Sequence, residues 1–166
     1  MTIRIEPIAE AHAASFRECL DAVAREKRYL AQIEALPLAQ IEGFVREGVA
    51  RDPIQFVALE GPRVLGWADI FPDWAHAIRH RGHLGMGLLP AFRGQGLGRR
   101  LLQACIAKAW TKGLTRIELE VRADNGRAIR LYEHCGFVHE AVKSRALCYE
   151  GVYFDAMQMR LLRIES

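Results

Sequence analysis

Short apolar patterns of two different periods succeed one another along the chain. Ile3 and Ile5 alternate with polar neighbours, which predicts a first strand over residues 2–7. Residues 9–28 are rich in Ala, Glu, Arg and Leu and contain neither Gly nor Pro, which favours a helix. Pro37 suits the first turn of a second helix ending at 48–51, and the stretch between, 29–37, reads as a mobile connection. Strand composition returns at 54–59, and Gly61-Pro62 turns the chain back through 64–71. Residues 72–82 read as a loop carrying Trp74, His76 and His80, and 83–89 as another strand. Leu97, Leu101, Leu102, Cys105, Ile106 and Ala109 make the apolar stripe of a long helix that Gly113 ends. Ile117, Leu119 and Val121 then alternate with Glu118, Glu120 and Arg122 in a strand. A helix over 125–135 and two strands, 137–145 and 152–162, complete the chain. This order predicts a single α/β domain over 1–166, a mixed sheet with helices on both faces.

The most specific chemistry lies where the strand at 83–89 meets the long helix. Residues 93–98 read Arg-Gly-Gln-Gly-Leu-Gly. A strand that turns through glycines into a helix aims free backbone N–H groups, and the positive end of the helix dipole, at one spot. That spot suits a phosphate or pyrophosphate. Two nucleotide patterns fail on residue type. A P-loop needs Gly-Lys followed by Ser or Thr, and here Gly98 precedes Arg99 and Arg100. The dinucleotide fingerprint needs glycine at 99 or 101, which are Arg99 and Leu101.

What remains is R-x-x-G-x-G, formed by Arg93, Gly96 and Gly98. Downstream, residues 125–137 read N-x-x-A-x-x-L-Y-x-x-x-G-F, with Asn125, Ala128, Leu131, Tyr132, Gly136 and Phe137. Asn125 can cap a helix and Gly136 can close it. The pair of motifs, one helix and one strand apart, resembles the coenzyme A segment of the GCN5-related N-acetyltransferase (GNAT) superfamily over roughly the last two-thirds of the chain. The resemblance implies a mostly antiparallel, twisted sheet of about seven strands. It implies an enzyme that moves an acetyl group from acetyl-CoA, as co-substrate, directly to a primary amine. The acceptor would be a small molecule, an amino acid or a peptide N-terminus. The alternative reading is a non-catalytic acyl-CoA-binding sensor or regulatory module.

The resemblance also assigns roles. Gly94, Gln95, Gly96, Leu97 and Gly98 would hold the pyrophosphate, with Arg93 and Arg99 adding charge. Leu88 and Leu89 would offer backbone groups to the pantetheine arm, and Asn125 and Ala128 would line it. Tyr132 would be the acid beside the coenzyme sulfur, since a phenol of pKa about 10 keeps its proton at neutral pH. The base that frees the amine stays open between Glu120, twelve residues before Tyr132, His83 at the start of its strand, and water. The acceptor region would draw on Tyr29, Trp74, Tyr149 and Tyr153, with acids such as Glu26, Glu34, Asp69 and Asp155.

Composition narrows the classes further. A net charge of +3 does not argue for nucleic acid, even with Arg79, Arg81, Arg93, Arg99 and Arg100 counted as a patch. Cys19, Cys105, Cys135 and Cys148 lack C-x-x-C spacing, so free thiols are expected. His76, His80 and His83 have H-x₃-H-x₂-H spacing but no acid or cysteine nearby beyond Asp73, so no metal is expected. No run reaches the roughly 18 apolar residues of a membrane span, and the first residues lack a signal core. A cytoplasmic protein with no membrane partner is the plain expectation. Relatives of the family often pair, so a homodimer is among the assemblies the resemblance allows.

Overall fold

The computed structural model describes residues 2–165. Seven strands form one sheet: β1 (Ile3–Pro7), β2 (Gln55–Glu60), β3 (Arg63–Pro72), β4 (Arg81–Leu88), β5 (Arg116–Arg122), β6 (Val138–Tyr149) and β7 (Val152–Leu162). Their spatial order is β1-β2-β3-β4-β5-β7-β6. β1 with β2, β2 with β3, β5 with β7 and β6 with β7 run antiparallel, whereas β4 and β5 run parallel. The mixed, mostly antiparallel sheet expected from the sequence is the one observed. Four helices accompany it: α1 (Ala13–Arg25), α2 (Leu38–Val49), α3 (Leu97–Thr111) and α4 (Gly126–His134). The chain divides into two compact units, one of the residues through Asp69 with Met86–Cys105, the other of Ile70–Gly85 with the residues from Ile106 onward.

In the first unit, α1 buries Phe16, Cys19, Leu20, Val23 and Ala24, and α2 buries Ile41 and Val45. All but Ala24 of these meet Val57, Leu59, Val64 and Trp67, which point from one face of β2 and β3, in a single apolar cluster. Val64–Ile70 of β3 is buried at every position, so both faces of the strand are covered. Close packing demands glycine here: a Cβ on Gly87 would lie 2.5 Å from Trp67 Cη2.

α1 is shorter than its composition predicts. A 3-10 turn, Glu10–His12, precedes it, because the Ala9 N–H bonds the His12 ring at 3.0 Å and tightens the entry. The helix stops at Arg25, two residues before Lys27 takes a left-handed φ of 53°. The 29–37 segment, expected to be mobile, is tied down. The Ala35 N–H donates to Asp21 at 2.9 Å, Arg17 Nε donates to the Leu36 carbonyl at 2.7 Å, and Tyr29 and Leu30 pack on the core cluster. The hydrogen bonds from Arg25 and Ala35 hold the Asp21 carboxyl below the usual carboxylate pKa.

In the second unit, β6 and β7 form a hairpin joined by Glu150 and Gly151, both at positive φ (51° and 80°), the signature of a two-residue turn. β6 extends to Tyr149, four residues past the predicted end, and is bulged near Arg145 (φ 52°). β4 begins at Arg81, two residues before the predicted start, because its first three residues pair with Arg116–Glu118 of β5.

Candidate active site

In the first unit the chain leaves β4 at Leu88 and makes a 3-10 turn at Pro90–Phe92 before the glycine corner. Gly94 and Gly96 take φ values of 74° and 83°, a region that costs any L side chain roughly 1–2 kcal/mol. Space is not the constraint at Gly96, since nothing lies within 4 Å of an added Cβ; conformation is. α3 opens at Leu97, whose side chain is buried and anchors the first turn. The helical ladder begins with the Arg100 N–H donating to the Gly96 carbonyl at 3.2 Å. By helix geometry the amides of Leu97, Gly98 and Arg99 stand ahead of that ladder, at the positive end of the dipole. Gln95 folds back, its Nε2 donating to the Ala91 carbonyl at 2.9 Å, so its side chain braces the corner from outside. Arg99 is exposed on the first turn.

Leu88 and Leu89 already have internal uses for part of their backbone. The Leu89 N–H donates to Leu65 at 2.9 Å, and the Leu88 carbonyl accepts from Arg93 Nε at 3.0 Å. Arg93 itself turns inward. Its Nη1 and Nη2 donate to the two carboxylate oxygens of Glu26 at 2.9 and 2.6 Å.

In the second unit, Asn125 caps α4: its side-chain oxygen accepts from the Ala128 N–H at 3.2 Å. Among the helix residues only Tyr132 is buried, at 8% exposure, with its ring edge-on to Phe137 at 5.9 Å. Burial pushes its phenol up to about 12, so it is protonated throughout the neutral range. Ala128, Leu131 and Cys135 beside it are half-buried.

The two candidate bases sit in separate ion-pair systems. His83 lies between two carboxylates, with Nε2 at 3.2 Å from Asp73 and Nδ1 at 3.3 Å from Glu118. Arg81 also donates to Asp73, and its hydrogen bond is the largest cause holding the Asp73 carboxyl below its usual pKa. Arg116 bonds Glu118 at 2.9 Å and Glu140 at 2.9 Å. Glu120 instead meets the Lys143 ammonium, which reaches over β7 from β6. Both partners are about half exposed, so the pair contributes little stability. Sequence reasoning missed Asp73, Glu118 and Lys143 as partners; only the strand alternation at Glu118 and Glu120 signalled that acids stand on β5. Among the described residues, no group of three or more His, Cys, Asp and Glu side chains is arranged to hold a metal ion. No helix among them is long and apolar enough to cross a membrane.

β4 and β5 pair over Arg81–His83 and Arg116–Glu118 and no further, although β4 continues to Leu88 and β5 to Arg122. A glycine corner feeds a helix, and beside it a parallel strand pair stops short, an arrangement suited to a phosphate-bearing ligand. The model of the acetyltransferase (GNAT) family matches residues 14–137, and the chain belongs to that family. A mycothiol acetyltransferase from Geodermatophilus obscurus is 36% identical over 90 residues, covering 52% of this chain and 29% of that protein. A [ribosomal protein bS18]-alanine N-acetyltransferase from Salmonella typhimurium is 44% identical over 72 residues, covering 43% and 49% respectively. The chain thus spans half or less of the length of these relatives. The solved GNAT acetyltransferase from Streptococcus pneumoniae superposes with a TM-score of 0.91 at 26% identity, covering 98% of this chain and all of that one.

Proposed function

We propose that the protein is an acetyl-CoA-dependent N-acetyltransferase that moves the acetyl group directly to a primary amine. The observation that carries this reading is the corner at 93–98: two left-handed glycines, followed at once by the start of a helix, where the Arg100 N–H donates to the Gly96 carbonyl. Acetyl-CoA supplies the activated acetyl group as a thioester. In this reading the amides of Leu97, Gly98 and Arg99 bind the diphosphate, with Arg99 adding charge. The unpaired edge of β4 offers its remaining backbone groups to the pantetheine amides, as a neighbouring strand would. Asn125 and Ala128 set the start of α4, and so the placement of Tyr132 about two turns on.

Transfer forms a C–N bond and breaks the C–S bond. Tyr132 gives its phenolic proton to the departing thiolate, and its raised pKa is consistent with an acid that stays loaded at neutral pH. A base takes the proton of the attacking amine. Glu120 and His83 both remain in this role beside water. To act as base, Glu120 has to release the Lys143 ammonium that pairs with its carboxylate. The acceptor is an amine of a small molecule, an amino acid or a peptide N-terminus.

Thiol release from acetyl-CoA is the test, run against polyamines, free amino acids and short peptides with unblocked N-termini. The proposal expects saturable turnover on at least one class. Tight acetyl-CoA binding without turnover on any acceptor would instead favour the acyl-CoA sensor.

A further inference from the structure

The Arg93 guanidinium is engaged on its edge and on its face by the protein itself. Nε donates to the Leu88 carbonyl at 3.0 Å, and the two Nη atoms grip both oxygens of Glu26 at 2.9 and 2.6 Å. The Tyr29 ring lies against the guanidinium plane, with the central carbon 4.7 Å from the ring centroid. The ion pair is largely enclosed, with side-chain exposures of 18% for Arg93 and 25% for Glu26. A bidentate fork of this kind matches carboxylate geometry and commits one N–H of each Nη to Glu26. Glu26 and Tyr29 stand where α1 ends and the chain turns through Lys27 at φ 53°.

We propose that Arg93 is a positioning residue: it clamps the Glu26–Tyr29 segment to the start of the glycine corner and takes no part in holding the diphosphate. The inference rests on reading the 93–98 corner as the coenzyme site. It deepens that reading by assigning the diphosphate to backbone amides and to Arg99 alone among the corner's arginines. Its consequence is a division of labour. Loss of Arg93 loosens the end of α1 and the connection that follows, yet leaves coenzyme affinity and its salt dependence in place.

Two measurements on the full chain decide this, with Arg93→Gln and Glu26→Gln as parallel variants. Calorimetric titration with coenzyme A at low and high salt reads the phosphate contact. The clamp predicts affinity within about two-fold of wild type for both variants, with an unchanged salt slope. A phosphate-binding arginine would cost about ten-fold or more and flatten the slope, which would overturn the proposal. Hydrogen exchange at the Glu26 and Lys27 amides, bonded to Val23 and Ala24 in the last turn of α1, reads the clamp itself. Both variants should exchange there about five- to ten-fold faster, and the exchanged pair Glu26→Arg with Arg93→Glu should recover part of the protection. Wild-type exchange in Glu26→Gln would overturn the proposal even if Arg93→Gln failed to fold. Absence of coenzyme binding by the wild-type protein would instead remove the coenzyme reading, while the exchange data would still decide the clamp.

Discussion

Replacing Tyr132 with Phe separates chemistry from packing at the centre of the proposed mechanism. The ring keeps its burial and its edge-on contact with Phe137, so stability at neutral pH should change by less than about 1 kcal/mol. Alkaline pH behaves differently. Burial raises the folded-state pKa from 10 to about 12, while the unfolded chain titrates near its ordinary value. Below pH 10 both states hold the proton and the contribution to stability is complete. Between pH 10 and 12 the unfolded state loses its proton first, and about 2–3 kcal/mol is lost as the pH rises through the folded value. Tyr149 is raised in the same direction by burial, so the wild-type loss has more than one source. The difference between wild type and Tyr132→Phe in urea unfolding at pH 7 and pH 11 isolates the residue. In catalysis, removing the acid should lower kcat about 100-fold, equivalent to about 2.7 kcal/mol of barrier, with coenzyme affinity unchanged. Thiol-release kinetics and calorimetry on the same preparation give both numbers. A kcat within three-fold of wild type, with an unaltered pH profile, would refute Tyr132 as the acid.

Other substitutions probe the remaining parts. Glu120→Gln and His83→Gln should be compared by kcat against pH; the true base is the one whose loss abolishes the rising limb, and persistence of the limb in both assigns the proton to water. Gly87→Ala would push a methyl into the Trp67 ring and should destabilise the protein by about 1–3 kcal/mol, read by urea unfolding; a neutral effect would contradict the close packing of β3 and β4. Cys19, buried with its thiol pushed up to about 12, should resist a thiol reagent until unfolding, whereas exposed Cys148 should react in the native protein. The lowered Asp21 carboxyl contributes stability that is present above the unfolded pKa and lost as pH falls through the folded value. Asp21→Asn should therefore flatten the acid limb of stability against pH, and an unchanged limb would contradict the Arg25 and Ala35 bonds.

The parts of this molecule legible in its sequence are those fixed by neighbours in the chain. The strand–glycine–helix corner and the Asn125 cap depend on residues within one turn of each other, and local alternation, composition and turn signals together located all seven strands. Features set by distant partners were not legible. Arg93 reads as a cation beside a phosphate loop until Glu26, 67 positions earlier, is seen to hold it. Glu120 reads as an unencumbered base until β6 brings Lys143 over the intervening strand. Similarly, α1 composition favours helix to residue 28, but the left-handed turn at Lys27 ends it, and that turn coincides with the Glu26 ion pair. Intrinsic helix preferences of a few tenths of a kcal/mol per residue yield to such tertiary contacts.

The central claim is that the glycine corner grips a diphosphate. Calorimetric titration with acetyl-CoA and with acetylated pantetheine, which lacks the diphosphate and nucleotide, tests it most directly. The account predicts strong heat from acetyl-CoA, at least a hundred-fold weaker binding of the truncated thioester, and collapse of that difference in Gly96→Val, where φ of 83° cannot be held cheaply. Equal affinity for the two thioesters, or an undiminished preference in Gly96→Val, would contradict it.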